Sequence, residues 1–347
     1  MKNKDCVIIT TINAPSPAVL KYIENPLVDT IIVADTKTPS AEYNQLDCEF
    51  LSLKKQEALA PSLHNLLPLN HYSRKNMGYL YAIKKGYHRI IETDDDNIPL
   101  ENWGARSLNP EALEGATHYV VNGPKTVNIY KLYTDTHIWP RGLPLNRILD
   151  KTSHTNLTSC PSPDFFSDVS IIQGLADGDP DVDAIFRLTA NESRLPVIFN
   201  DTKAFYKLGL SQYCPANTQN TIWRKPEDFA LLYVPSYVSF RFCDILKMYI
   251  AQALIRRSGR SLAFQGATVF QDRNPHDYFK DYLQECEMYV HVDKLIAILD
   301  DHLESPACET PDIVSVYQKL VHHGIVKDPR ELALLKTWLE CTAQLLP

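Results

Sequence analysis

Apolar residues in the first hundred positions come in short continuous runs. Cys6-Val7-Ile8-Ile9-Thr10-Thr11 and Asp29-Thr30-Ile31-Ile32-Val33-Ala34-Asp35 read as β-branched strands buried on both faces, as in a parallel sheet. Cys48-Glu49-Phe50-Leu51-Ser52-Leu53 is a weaker third run, and Tyr87-His88-Arg89-Ile90-Ile91-Glu92-Thr93 a fourth. Between them the apolar period lengthens. Val19-Leu20-Lys21-Tyr22-Ile23 has helical spacing, and 76–85 places Met77, Leu80, Tyr81 and Lys84 on one helix, with Gly86 as its stop. Strand and helix in alternation predict an α/β fold, a Rossmann-like mixed sheet flanked by helices, with its ligand crevice beyond the strand carboxyl ends.

Residues 100–215 are richer in Pro, Asn, Asp and Thr, with short strands such as His118-Tyr119-Val120-Val121. The spacing then predicts strand and turn over 229–242, an amphipathic helix over 244–256 and a short strand at Thr268-Val269-Phe270. Helical patterns follow at 278–283, 292–303, 313–321 and 332–346. The division expected is a catalytic domain over 1–285 and a helical C-terminal tail over 286–347, with 306–311 as a flexible joint.

Asp94-Asp95-Asp96 ends the fourth strand. Crowded carboxylates raise one another's pKa unless a cation lies between them. Mg²⁺ or Mn²⁺ suits such oxygens and keeps places for substrate phosphates. Asp94 and Asp96, two apart, share a face if the backbone stays extended, so they are the candidate metal ligands, with Asp95 between them. The alternative is a solvated acidic loop. Asp35 closes the second strand at the same edge. Arg74-Lys75-Asn76 opens the helix leading into the acidic strand, where backbone N–H groups and two cations make an anion site or, more simply, a solvated basic turn.

Asp177-Gly178-Asp179-Pro180-Asp181-Val182-Asp183 resembles a calcium loop, but Val182 and Leu188 stand where an EF-hand needs Gly and a carboxylate. A solvated turn or an acidic rim near a sugar site remains. Asp244 enters an apolar helix, where it either caps the helix or serves as general base to an acceptor hydroxyl. His276 is a metal ligand, a phosphate donor or an exposed loop residue. No G-x-S-x-G, Walker A, G-x-G-x-x-G or H-E-x-x-H motif is present, which lowers hydrolase triads, P-loop enzymes, dinucleotide oxidoreductases and zincins.

The 347 residues, 44% of them hydrophobic, suffice for a large core, and a net charge of −7 with no Lys/Arg stripe argues against nucleic acid as a partner. Eight scattered cysteines without C-x-x-C read as free thiols in a reducing compartment. No apolar run reaches the roughly 18–20 residues of a membrane helix, and the first strand follows Met1 almost at once, so a cytoplasmic protein without a membrane span is expected.

Longer motifs carry a family resemblance. Asn70-His71-Tyr72-Ser73-Arg74-Lys75-Asn76-Met77-Gly78-Tyr79-Leu80-Tyr81-Ala82-Ile83, Glu92-Thr93-Asp94-Asp95-Asp96-Asn97, Ile138-Trp139-Pro140-Arg141-Gly142-Leu143-Pro144-Leu145, Gln173-Gly174-Leu175 and Asp179-Pro180-Asp181-Val182-Asp183-Ala184-Ile185-Phe186-Arg187-Leu188 closely resemble the STELLO family of glycosyltransferase-like proteins, over about 5–290. A more distant likeness is to the UDP-arabinopyranose mutases. It rests on Ile32-Val33-Ala34-Asp35, a first strand ending at Thr11, Arg74 before Gly-Tyr-Leu, the Asp triplet, the Arg141–Pro144 turn, and Arg241 with Asp244. The mutases place a self-glycosylated Arg four residues after that Pro. Here Ile148 stands there and Arg147 one residue earlier, a departure that bears on mutase activity more than on fold.

Both likenesses imply a GT-A-like fold. They imply nucleotide contacts at Asp35 and metal and diphosphate at the triplet; Thr11, Arg74, Lys75, Asp95, Arg241 and His276 are the further candidates for holding the donor. The activity expected is a Mn²⁺- or Mg²⁺-dependent glycosyltransferase taking a nucleotide diphosphate sugar to a glycan, lipid-linked or protein acceptor. The alternatives are a sugar-nucleotide mutase and a glycosyltransferase-like scaffold without turnover. Asp244 serves as base if the reaction inverts, and orients the donor sugar if it retains. STELLO proteins of plants carry an amino-terminal membrane anchor, so their Golgi setting is not expected here.

Overall fold

The computed structural model describes residues 5–149, 156–190, 196–200, 203–273, 276–306, 312–343 and 345–346. Its strands are β1 (Asp5–Thr11), β2 (Asp29–Ala34), β3 (Glu49–Leu51), β4 (Arg89–Thr93), β5 (Asn97–Pro99), β6 (Thr117–Asn122), β7 (Asn156–Ser159), β8 (Val169–Gly178), β9 (Ala204–Leu208), β10 (Asn220–Trp223) and β11 (Ser261–Gln271). The helices are α1 (Pro17–Ile23), α2 (Ser40–Tyr43), α3 (Leu53–Leu59), α4 (Pro61–Leu66), α5 (Lys75–Lys85), α6 (Trp103–Leu108), α7 (Ser162–Ser167), α8 (Ala184–Thr189), α9 (Cys243–Arg257), α10 (Tyr278–Glu304), α11 (Asp312–His322) and α12 (Arg330–Ala343).

All the strands join one mixed sheet in the order β3-β2-β1-β4-β10-β8-β11-β9-β6-β7, with β5 on β11. β3, β2, β1 and β4 run parallel, and β10 reverses direction between β4 and β8. The α/β class and the mixed sheet flanked by helices stand as the sequence predicts.

β1 shows why its run is apolar throughout. Ile8 faces one hydrophobic cluster, under α5, α9 and the tail, while Val7 and Ile9 face the other, under α1 and α6. Burial on both faces removes any need for alternation. α5 lies hard against β1 and β2 through Gly78, where a Cβ would come within 2.6 Å of Val33 Cγ2 and 2.7 Å of Ile8 Cγ2. Gly86 ends that helix with φ +74, the left-handed cap the sequence predicts.

The strand and turn expected over 229–242 is instead the 3₁₀ segment Pro226–Leu232 followed by loop. The two helical patterns at 278–283 and 292–303 are one helix, α10, which crosses the expected boundary at 285/286 and packs on α8 and α9. Of the expected joint at 306–311, residues 307–311 lie outside the described residues. No helix among the described residues is long and apolar enough to cross a membrane.

Candidate active site

A cleft of about 480 Å³ opens at the carboxyl ends of β1, β2 and β4. Thr11, Asp35, Asp94, Asp95, Asp96, Arg241, Asp244 and His276 all line it, so the fold gathers residues spread over 266 positions into one place. Two expected members are elsewhere. Arg74 and Lys75 do not line the cleft.

The acidic triplet does not continue β4. It turns, and the chain returns as β5 to pair with β11. That turn stretches the aspartates between two anchor points. Asp95 Oδ2 accepts from Thr11 Oγ1 at 2.5 Å and Asn13 Nδ2 at 2.9 Å, which fastens it to the end of β1. Asp96 Oδ2 accepts from Gln271 Nε2 at 3.3 Å and its carbonyl from Asp272 N at 3.1 Å, which fastens it to the end of β11. Asp94 Oδ1 accepts from Tyr72 Oη at 2.8 Å and pairs with Lys75 Nζ at 3.3 Å. Asp94 and Asp96 therefore meet in the cleft because the turn presents both, and not through an extended backbone.

Burial raises the Asp94 carboxyl, against the pull of Lys75, and lifts Asp96 to about 7 through burial and then the charge of Asp94. The one ammonium of Lys75 does not offset the burial of these crowded carboxylates. They are hard oxygen donors of the kind Mg²⁺ and Mn²⁺ take. Among the described residues no group of three or more His, Cys, Asp or Glu is placed to hold a metal. A cation here would thus have two carboxylates from the chain and leave its other places to substrate and water oxygens, the habit of Mg²⁺.

Lys75 is fully buried. Its ammonium donates to Tyr72 Oη at 2.7 Å and to the Thr93 carbonyl at 2.8 Å as well as facing Asp94, so it braces the triplet from below. Arg74 is equally buried on the other side of the helix start. Its Nε donates to Gln56 Oε1 at 3.0 Å and its Nη1 to the carbonyl of Leu67 at 3.3 Å, with Nη2 at His64 Nδ1. The expected phosphate contact becomes an internal bracket between α5 and the α3–α4 segment.

Asp35 accepts backbone N–H bonds from Thr36 at 2.7 Å and His71 at 3.2 Å. Asp244 is gripped by Arg141, Nη2 to Oδ2 at 2.8 Å and Nη1 to Oδ1 at 3.1 Å. The same guanidinium forks onto Asp181, Nε to Oδ1 at 2.9 Å and Nη2 to Oδ2 at 3.0 Å. Burial works against the Asp181 charge, but Arg141 outweighs it and holds the carboxyl down at about 2. Asp244 stands in the first turn of α9, whose N-cap is Phe242, and both its oxygens serve this ion triad. Of the acidic run, Asp181 reaches the cleft rim, while Asp183 caps α8 and accepts from Trp139 Nε1 at 2.8 Å.

His276 lines the cleft with Nδ1 3.0 Å from Asp281. Arg273, Asn217, Tyr72 and the half-exposed Phe240, edge-on to Tyr72 and His71, also line it, and sequence reading had assigned none of them a role. Phe240 is an exposed aromatic between polar neighbours, a signal that could have been found.

The family model for STELLO glycosyltransferases matches residues 241–345, which hold Arg241, Asp244, Arg273 and His276 but not the aspartate triplet. The chain is 25% identical over 304 residues to the probable glycosyltransferase STELLO2 of Arabidopsis thaliana, and 24% over 303 residues to STELLO1. Each match takes in 84% of this chain but 39% and 38% of the relatives, so the chain spans about two fifths of their length. Among solved structures, a mycobacterial protein overlaps 85% of this chain and 74% of its own with a TM-score of 0.44 and 10% identity. Glucosyl-3-phosphoglycerate synthase from Mycobacterium tuberculosis overlaps 85% and 78%, with a TM-score of 0.38 and 11% identity. By sequence, the chain is STELLO-like.

Proposed function

We propose that the chain is a glycosyltransferase that takes a sugar from a nucleotide diphosphate donor with help from Mg²⁺ or Mn²⁺ at Asp94 and Asp96. The observation that carries this reading is that Asp94 and Asp96 both line one cleft at the strand carboxyl ends, where burial raises both carboxyls. Negative charge concentrated there, and only partly balanced by Lys75, suits a cation that arrives with its substrate. When bound, that cation supplies Lewis-acid neutralisation of the departing diphosphate.

The chain's own groups do the rest. Asp35 sits where a nucleoside can be hydrogen-bonded at the end of β2, and Thr11 with Asn13 holds Asp95 so that the turn keeps its shape. Arg241 and His276 place positive charge and donors on the far wall. Asp244, held at both oxygens by Arg141, is placed in the cleft to accept hydrogen bonds from sugar hydroxyls. The acceptor is a hydroxyl on a glycan, lipid-linked or protein substrate.

The test is transfer itself. Donors with different nucleotides and sugars are offered with Mn²⁺ and mixed acceptors, and release of nucleoside diphosphate is followed in the parent and in Asp96→Asn. Release that needs acceptor and Asp96 supports transfer. Interconversion of the donor without acceptor would make the chain a mutase, and no turnover with any donor would make it a scaffold. Ile148, which stands where the mutases carry their self-glycosylated arginine, and Arg147 beside it both lie outside the cleft lining, which weighs against the mutase reading.

A further inference from the structure

The cleft has a second pole. Arg241 and Arg273 both line it, and their side chains are 10% and 8% exposed. Arg241 is anchored from behind, with Nε donating to Glu285 Oε1 at 2.7 Å and Nη1 3.5 Å from Asp281 Oδ2. Its Nη2 is buried without a hydrogen-bond partner. Arg273 lies two residues past the end of β11. Its Nε makes no hydrogen bond and stands 4.0 Å from Asp179 Oδ2, a carboxylate already engaged by Arg187.

Burying a guanidinium is costly unless its donors are satisfied. Two neighbouring ones with spare donors, on the wall of an open cleft, lack a shared acceptor. Burial, and then the charges of Arg187 and Arg241, lower Arg273 to about 10, the mark of a cation whose surroundings hold too little negative charge. Guanidinium forks match the oxygens of a phosphate, and two positive charges match a dianion.

We propose that Arg241 and Arg273 form a phosphate-binding pole of this cleft that acts without a metal. That the cleft is the substrate site rests on the function proposed above, and this pole deepens it. The phosphate comes either from the donor's diphosphate or from a phosphorylated acceptor, and both present the same chemistry to the two arginines.

Isothermal titration with inorganic pyrophosphate in the presence of a chelator tests the pole. The parent should bind, and Arg273→Gln should bind more weakly by roughly tenfold or more, the equivalent of one charge-assisted hydrogen bond. Arg273→Lys, which keeps the charge and loses the fork, should fall between them, and thermal melts confirm that the variants are folded. Repeating the titration with inorganic phosphate on protein saturated with uridine or guanosine diphosphate and Mn²⁺ separates the sources. Continued Arg273-dependent binding assigns the pole to an acceptor phosphate, and exclusion assigns it to the donor. No metal-free binding by the parent, or equal binding by parent and Arg273→Gln, would overturn the proposal. Asp96→Asn should keep metal-free binding, so loss of the metal effect alone would remove the metal reading and leave the pole standing.

Discussion

Lys75 Nζ lies 3.3 Å from Asp94 Oδ1, the ammonium fully buried and the carboxylate one-third exposed. The pair joins the start of α5 to the end of β4, so the residue expected to meet a phosphate positions a candidate metal ligand instead. Asp94→Ala would leave that ammonium with Tyr72, Thr93 and Thr218 oxygens but no counter-charge. It should destabilise the protein by about 1–3 kcal/mol in denaturant titration. Asp94→Asn, which keeps an acceptor, should cost less. An Asp94→Ala variant as stable as the parent would mean that the pair contributes nothing to the fold.

Arg74→Ala removes donors to Gln56 and to the Leu67 carbonyl and should cost about 2–3 kcal/mol of stability. Binding of a nucleoside diphosphate and of the free nucleoside should change together, if at all. A selective loss of the diphosphate would return Arg74 to the phosphates.

Asp244→Asn keeps shape but cannot hold Arg141 as a carboxylate does. The expected result is weaker donor binding together with slower turnover, since Asp181 and Arg141 move with it. A fall in turnover of about 10²–10⁴-fold with donor affinity intact would instead identify a general base.

Asp96 gives a pH signature. Its folded pKa of about 7 lies above the ordinary value of 3.8, so the folded state holds a proton that the unfolded chain releases. Fewer protons on the unfolded chain mean that stability falls as pH rises between these values and levels off above about 7. Asp96→Asn should flatten that slope and be the more stable protein at pH 8 without metal. Thermal melts from pH 4 to 8 measure it. A parent whose stability rises through this window by as much as the variant's would contradict the environment assigned to Asp96. Cation binding near pH 6 should also release protons, as metal ligands must be deprotonated.

The sheet was legible where apolar runs are continuous, as at β1, β2 and β4, and α5 was marked by its spacing and by Gly86. β8 was not, because Gln173, Gly174, Asp177 and Gly178 interrupt its pattern. Gln173 is buried there and donates to Asn217 Oδ1 and to the Asn220 carbonyl, partners that no local pattern reveals. The same holds at the cleft. The aspartates at strand ends could be read from sequence, since a strand followed by carboxylates is a local signal. Arg74 and Arg273 could not be told apart, because both are arginines beside polar turns. What separates them is that Gln56, His64 and Leu67 fold over one, while the other is left on the cleft wall with a donor unused.

The central claim is a cation held by Asp94 and Asp96 together with a nucleotide diphosphate. Isothermal titration of uridine and guanosine diphosphates, each with Mn²⁺ and with chelator, on the parent, Asp94→Asn and Asp96→Asn measures it directly. The account predicts that Mn²⁺ tightens binding of one diphosphate in the parent and that either substitution removes the Mn²⁺ effect while metal-free binding persists. Binding that is the same with Mn²⁺ and with chelator in the parent, or a Mn²⁺ effect unchanged in both variants, would contradict it.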